Sequence, residues 1–188
     1  FEDLHQVLGR FPAEDGIALH VDFAAIRKAG LLTSSNVPLE AEYKQFLDGT
    51  GFDYRKDLDE VTASFSKSGN FFIARGRFNW RKLRDYAAKQ GGSCYEDLCR
   101  MQGSQPERRI SFLPLEPDVM ALAVSTDDLA ANRLTKPGAA VKTELPSAPV
   151  WVMVPGSMLR ESAVMPPGMA LMLSALKSAD RLVVTVSP

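Results

Sequence analysis

The chain has 188 residues, 45% of them hydrophobic, enough to bury a core in one domain or one and a half without help from a metal or a disulfide. Its 22 Lys and Arg against 23 Asp and Glu leave a formal net charge of −1, which supplies no global field toward nucleic acid or acidic membranes. The apolar runs at 150–155 and 169–173 are broken by Pro or Gly and fall short of the roughly 20 residues that span a bilayer.

In chain order, an amphipathic opening (Leu4, Val7, Leu8, Phe11) is punctuated by Pro12 and Gly16, and residues 17–21 read as a buried strand. Asp22 stands at an N-cap position ahead of Phe23, Ala24, Ala25 and Ile26, with Gly30 closing the helix. Leu39, Tyr43, Phe46 and Leu47 recur at helical spacing until Asp48 and Gly49. Val61, Ala63 and Phe65 alternate with Thr62, Ser64 and Ser66, the period of a half-buried strand; residues 67–70 form the turn of a hairpin whose second arm is 71–78. Asn79 caps a helix with Trp80, Leu83, Tyr86 and Ala87 on its apolar face, ended by Gly91 and Gly92. Strands are expected at 95–101, 109–115 and 119–124. A helix from Ser125 to Leu134 follows, with Asp128 completing a capping-box-like start.

The order strand, helices, strand, strand, helix, strand over 17–101 is that of a ferredoxin-like split βαβ unit. The expected class is therefore α+β: such a unit with extra antiparallel strands, plus half of a second similar unit. The half repeat is read from the tail, where 150–154 (VWVMV) followed by Ser157, Met158, Leu159 and Arg160 mirrors 17–21 followed by Ala24, Ala25, Ile26 and Arg27. Likewise 180–187 (DRLVVTVS) mirrors 59–66 (DEVTASFS), with a helix expected at 169–176. The organisation that follows is a full unit at 1–136, a linker-like segment at 137–149 rich in Pro, Ala, Ser and Thr, and a strand-helix-strand half repeat at 150–188. Strands 150–154 and 182–186 are apolar on both faces, so each should be buried, either by extending the sheet of the first unit or by pairing in a homodimer.

Few residues carry chemistry. Cys94 and Cys99, read as lying in one strand, would point to opposite faces and stay unpaired. His5 and His20 stand in no metal-ligand spacing, and no metal or cofactor is expected. The densest acids, Asp53, Asp57, Asp59 and Glu60, are interleaved with Arg55 and Lys56 and lack the central Gly of a calcium loop, so a self-neutralised turn is the reading preferred to a hydrolytic carboxylate pair. Ser64 to Lys67 and Ser174 to Lys177 match Ser-x-x-Lys without the companion motifs of penicillin-binding enzymes, and no catalytic residue is assigned. Arg75, Gly76, Arg77, Phe78, Asn79 and Trp80 approach the basic-aromatic third-strand motif of RNA-recognition domains, but Arg77 stands where an aromatic is wanted. Arg75, Arg77, Trp80, Asp53, Asp57 and Asp59 are thus the candidate binding residues, with nucleic acid the disfavoured partner.

Three phrases carry a resemblance: 17–22 (IALHVD) with Ile26 and Arg27; 51–53 (GFD) with Lys56, Asp57, Leu58 and Asp59; and 74–78 (ARGRF) with Leu83. In them the chain resembles a group of bacterial envelope proteins of unknown function built from tandem ferredoxin-like units. The resemblance implies an extracytoplasmic setting, periplasmic or membrane-anchored through a leader; the opening at Phe1 instead of Met fits a leader cut away either in nature or by design. It gives no catalytic residues, and the partner expected is an unknown protein or envelope component. The function expected is that of a non-enzymatic binding or structural domain. A hydrolase using the acids from Asp53 to Glu60 and an RNA-binding module using Arg75 to Trp80 are the alternatives.

Overall fold

A computed structural model describes residues 1–32, 41–103, 105–161 and 181–187. Its strands are β1 (Ile17–Asp22), β2 (Leu58–Ser66), β3 (Gly69–Gly76), β4 (Ser93–Tyr95), β5 (Leu98–Gln102), β6 (Arg109–Glu116), β7 (Val119–Ser125), β8 (Val150–Pro155) and β9 (Arg181–Val186). The described helices are α1 (Leu4–Leu8), α2 (Phe23–Lys28), α3 (Ala41–Thr50), α4 (Tyr54–Asp57), α5 (Trp80–Lys89) and α6 (Gly156–Glu161), with a 3₁₀ turn at Ala130–Leu134. The nine described strands join one antiparallel sheet in the order β4-β5-β6-β7-β3-β2-β1-β8-β9.

The α+β class expected from the sequence is the class observed, with a different strand order inside it. A split βαβ unit separates its first two strands by inserting the third between them. Here β1 lies directly beside β2, His20 opposite Thr62, and its other neighbour is β8, His20 opposite Trp151. The chain between β1 and β2 leaves and re-enters at one end of the sheet, where Asp22 pairs with Glu60, so the two strands run antiparallel as neighbours.

Strand alternation sorts the core onto two faces. On one, Phe71, Ile73, Leu113, Val119, Ala121 and Ala123 pack beneath Val7 and Phe11 near the N-terminus and beneath Ala130, Ala131 and Leu134 of the 3₁₀ turn. On the other, Cys99, Phe112 and Met120 pack beneath Leu83 and Ala87 of α5. Fully buried side chains such as Phe71 and Leu134 each contribute about 1.5–3 kcal/mol relative to exposure. α5 forms as its sequence directs: Asn79 accepts from the Lys82 N–H at 3.1 Å, and Leu83 and Ala87 fall four apart on one face. The expected helix from Ser125 shrinks to the 3₁₀ turn because Ser125 stays in β7. Its hydroxyl donates to the Ser68 carbonyl at 2.7 Å, and Asp127 accepts from the Leu129 N–H at 2.9 Å while Asp128 pairs with Arg100 at 3.0 Å.

The cysteine reading is corrected. Cys94 and Cys99 form a disulfide, with Cα atoms 4.0 Å apart. The segment expected as one strand is a hairpin, β4 and β5, turning at Glu96 and Asp97, and its register sets Cys94 directly opposite Cys99. The turn requires φ of +52° at Glu96, a backbone state few non-glycine residues adopt, and the Arg84 side chain of α5 holds the Glu96 carbonyl at 2.6 Å.

β8 and β9 continue the sheet beyond β1, but only β8 approaches the expected burial. Trp151 is fully buried, whereas β9 is an edge strand with Val183, Val184 and Val186 exposed. The helix expected at 169–176 lies outside the described residues. Residues 137–149 run against α1: the Val141 N–H donates to the His5 carbonyl at 3.0 Å, and His5 Nε2 meets the Thr143 carbonyl at 3.0 Å. Gly9 and Gly138 cross so closely that a Cβ on Gly138 would collide with the Gly9 carbonyl.

Candidate functional site

The candidate residues converge where β2 begins. The register between β2 and β3 shifts between Leu58, opposite Gly76, and Glu60, opposite Arg75, so Asp59 occupies a bulge. A bulge re-aims side chains at a strand end, and here it turns Asp59 toward three arginines, from α2, β3 and the loop after β3. Arg27 of α2 reaches Asp59 Oδ1 with Nη2 at 2.6 Å while its Nη1 donates to the carbonyls of Arg55 and Leu58, each at 3.1 Å. Arg75 and Arg77 approach Asp59 Oδ2 at 3.7 and 3.5 Å. Arg75 also donates to its cross-strand partner Glu60 at 3.1 Å, and Arg77 Nε stands 3.6 Å from Asp57.

Asp53 begins the single turn of α4. Its Oδ1 accepts from the Arg55 N–H at 3.0 Å, and the Arg55 side chain grips the same carboxylate at 3.1 and 3.0 Å. That side-chain hydrogen bond holds the Asp53 carboxyl below its usual range. Asp57 closes the turn by accepting from the Asp53 N–H at 2.9 Å. Asp53, Asp57, Asp59, Arg75 and Arg77 are therefore one connected group.

Trp80 stands beside this group. Its indole N–H donates to the Pro117 carbonyl at 2.8 Å, and its ring leans on Phe78 at 5.3 Å. Phe78 in turn stacks on Phe52 at 5.3 Å and 14°. The aromatic faces that a base would need are turned on one another. Phe52, Asp57, Arg77, Phe78, Lys82 and Asp118 line an open depression of about 520 Å³ next to the group.

Arg27, with Arg55 and Glu60, joins the group without having been among the candidate binding residues; the sequence marks Arg27 as a basic residue in the last turn of the helix after β1 and as part of the phrase that carries the resemblance. Chemically, the group is suited to cross-bracing. A general acid needs a carboxyl held above its ordinary range, and the Arg55 side chain holds Asp53 below it. His20 lies on the far side of Glu60, its Nδ1 at 3.9 Å, and burial pushes its imidazole below the ordinary value so that it stays neutral. Among the described residues no group of three or more His, Cys, Asp and Glu is placed to hold a metal, and no helix is long and apolar enough to cross a membrane.

No protein-family model matches the chain, and no curated protein does. Solved structures match its shape. Crystal form III of TP0453 is 10% identical with a TM-score of 0.52, covering 97% of this chain and 93% of that one. Crystal form I is 11% identical with a TM-score of 0.50, covering 96% and 91%. At that identity the likeness is one of fold alone: this chain adopts an α+β fold similar to that of TP0453.

Proposed function

We propose that the chain is a non-enzymatic, extracytoplasmic binding or structural domain whose partner is a protein or envelope component. The observation that carries this reading is the engagement of the acids. Asp57, Asp59 and Glu60 each lie within 4 Å of an arginine on a neighbouring element or loop, which spends their charge on holding α2, α4, β2 and β3 together, while Asp53 is gripped by Arg55 within its own turn. The same contacts occupy Arg75 and Arg77, which weakens a nucleic-acid reading. The Cys94–Cys99 disulfide supports the extracytoplasmic setting, since such bonds persist in oxidising compartments.

On this reading, residues 150–188 are a half unit added to the 1–136 unit, with 137–149 as the connection. Any shared surface would be the depression beside Arg77 and Trp80. The test is a screen of purified chain against ester, peptide, glycoside and phosphate substrates, together with single-stranded oligonucleotides at varied salt. Neither turnover nor salt-sensitive retention is expected. Turnover that vanishes in a folded Asp57→Asn, Asp59→Asn variant would overturn the reading in favour of a hydrolase. Oligonucleotide binding that vanishes with Arg75→Ala and Arg77→Ala would do so in favour of an RNA-binding module.

A further inference from the structure

His20 is 6% exposed in the middle of β1, at the seam where β8 joins the sheet. Its Nδ1 lies 3.2 Å from the Thr62 hydroxyl on β2, and its ring sits against the fully buried indole of Trp151 on β8, centroids 5.6 Å apart. We propose that His20 makes the β1–β8 seam an acid-sensitive latch: charging its imidazole loosens β8, and β9 with it, from β1 while the rest of the sheet stays folded.

The charged groups around the ring decide the sign. From β1, Asp22 lies two residues on and on the same face; from β2, Glu60 lies 3.9 Å away. From β3, Arg75 draws on that same Glu60 carboxylate at 3.1 Å. Glu2, ahead of α1, shares a small cavity with Glu60 and Arg75. β8 supplies no ionisable group over 150–153, only the apolar face of Trp151. Burial therefore outweighs the two carboxylates and lowers the His20 value from 6.5. Opening of β8 takes Trp151 off the ring and relieves part of that burial while Glu60 and Asp22 remain, which moves the value back up, so the open form binds the proton more tightly. Between 6.5 and the lower closed-state value, each unit fall in pH favours opening by up to about tenfold; above 6.5 the latch is shut. Among the described strands β8 is the last but one of the sheet, held between β1 and the exposed edge strand β9, so it can part from β1 without breaking any other pairing of the sheet.

The experiment is hydrogen exchange on the intact chain between pH 7.5 and 5, corrected for intrinsic rates, comparing amides at 150–153 with those of β7. In the wild type, protection at 150–153 should fall by up to about tenfold per pH unit below 6.5 while β7 is unchanged; in His20→Gln the fall should disappear. An unchanged wild-type seam, or an equal fall in His20→Gln, overturns the proposal. NMR titration of the wild-type imidazole decides independently of whether the variant folds: a value below 6.5 supports the latch, and one at or above 6.5 refutes it.

Discussion

Replacing Asp59 by Asn keeps the side chain's size and removes its charge. The Arg27 contact, at 2.6 Å to a carboxylate only 19% exposed, is a charge-assisted hydrogen bond, and such bonds contribute about 1.5–3 kcal/mol. The contacts from Arg75 and Arg77 are longer, 3.7 and 3.5 Å, and those side chains are 41% and 59% exposed, so each adds no more than about 0.5 kcal/mol. The expected cost is therefore about 1.5–4 kcal/mol, most of it through Arg27. Arg27 keeps its two carbonyl acceptors, which limits the loss and favours a folded variant. Urea unfolding should give a lower midpoint at an unchanged slope, and a double-mutant cycle with Arg27→Gln should return a coupling of at least about 1 kcal/mol. A midpoint equal to wild type, or additive single variants, would refute the cross-bracing account of the acid group.

Reducing the Cys94–Cys99 bond, or replacing both residues by Ala, reopens a short loop and should cost about 2 kcal/mol, read as a lower melting temperature that reductant lowers in the wild type alone. Trp151→Ala removes a fully buried indole and should cost about 3–5 kcal/mol in chemical unfolding. Gly138→Ala forces a Cβ onto the Gly9 carbonyl and should destabilise by about 1–3 kcal/mol, whereas a loose connection at 137–149 would tolerate it. The Asp53 carboxyl, held low by Arg55, contributes stability that is full above its unfolded value near 3.8 and is lost as pH falls through the folded value; Asp53→Asn should flatten that part of the acid-unfolding curve.

What the sequence revealed depended on how local the determining contacts are. The β2–β3 hairpin was legible because Val61, Ala63 and Phe65 alternate with polar residues up to a tight turn, and α5 because Asn79 caps a run with Leu83 and Ala87 spaced four apart. The placement of β1 beside β2 was not, because pairing across more than 30 intervening residues leaves no local pattern. The disulfide is not legible because its hairpin turns at Glu96 and Asp97, which lack the Asn-Gly type of signal, so the segment reads as one strand where there are two. At the site, the acid run and the Arg75–Trp80 segment were both legible as segments. Their union was not: it depends on a bulge at Asp59 and on Arg27, contributed from α2 about 30 residues earlier.

A working place outside the cytoplasm stands or falls on the state of Cys94 and Cys99 in the cells that make the chain. Acid quenching followed by thiol alkylation under denaturing conditions, read by mass spectrometry of the intact chain, reports it in one step. The expected result is no adduct without prior reduction and two adducts after it. Two adducts on the unreduced chain would mean that the thiols are kept reduced where the protein works, and would contradict the proposed extracytoplasmic setting.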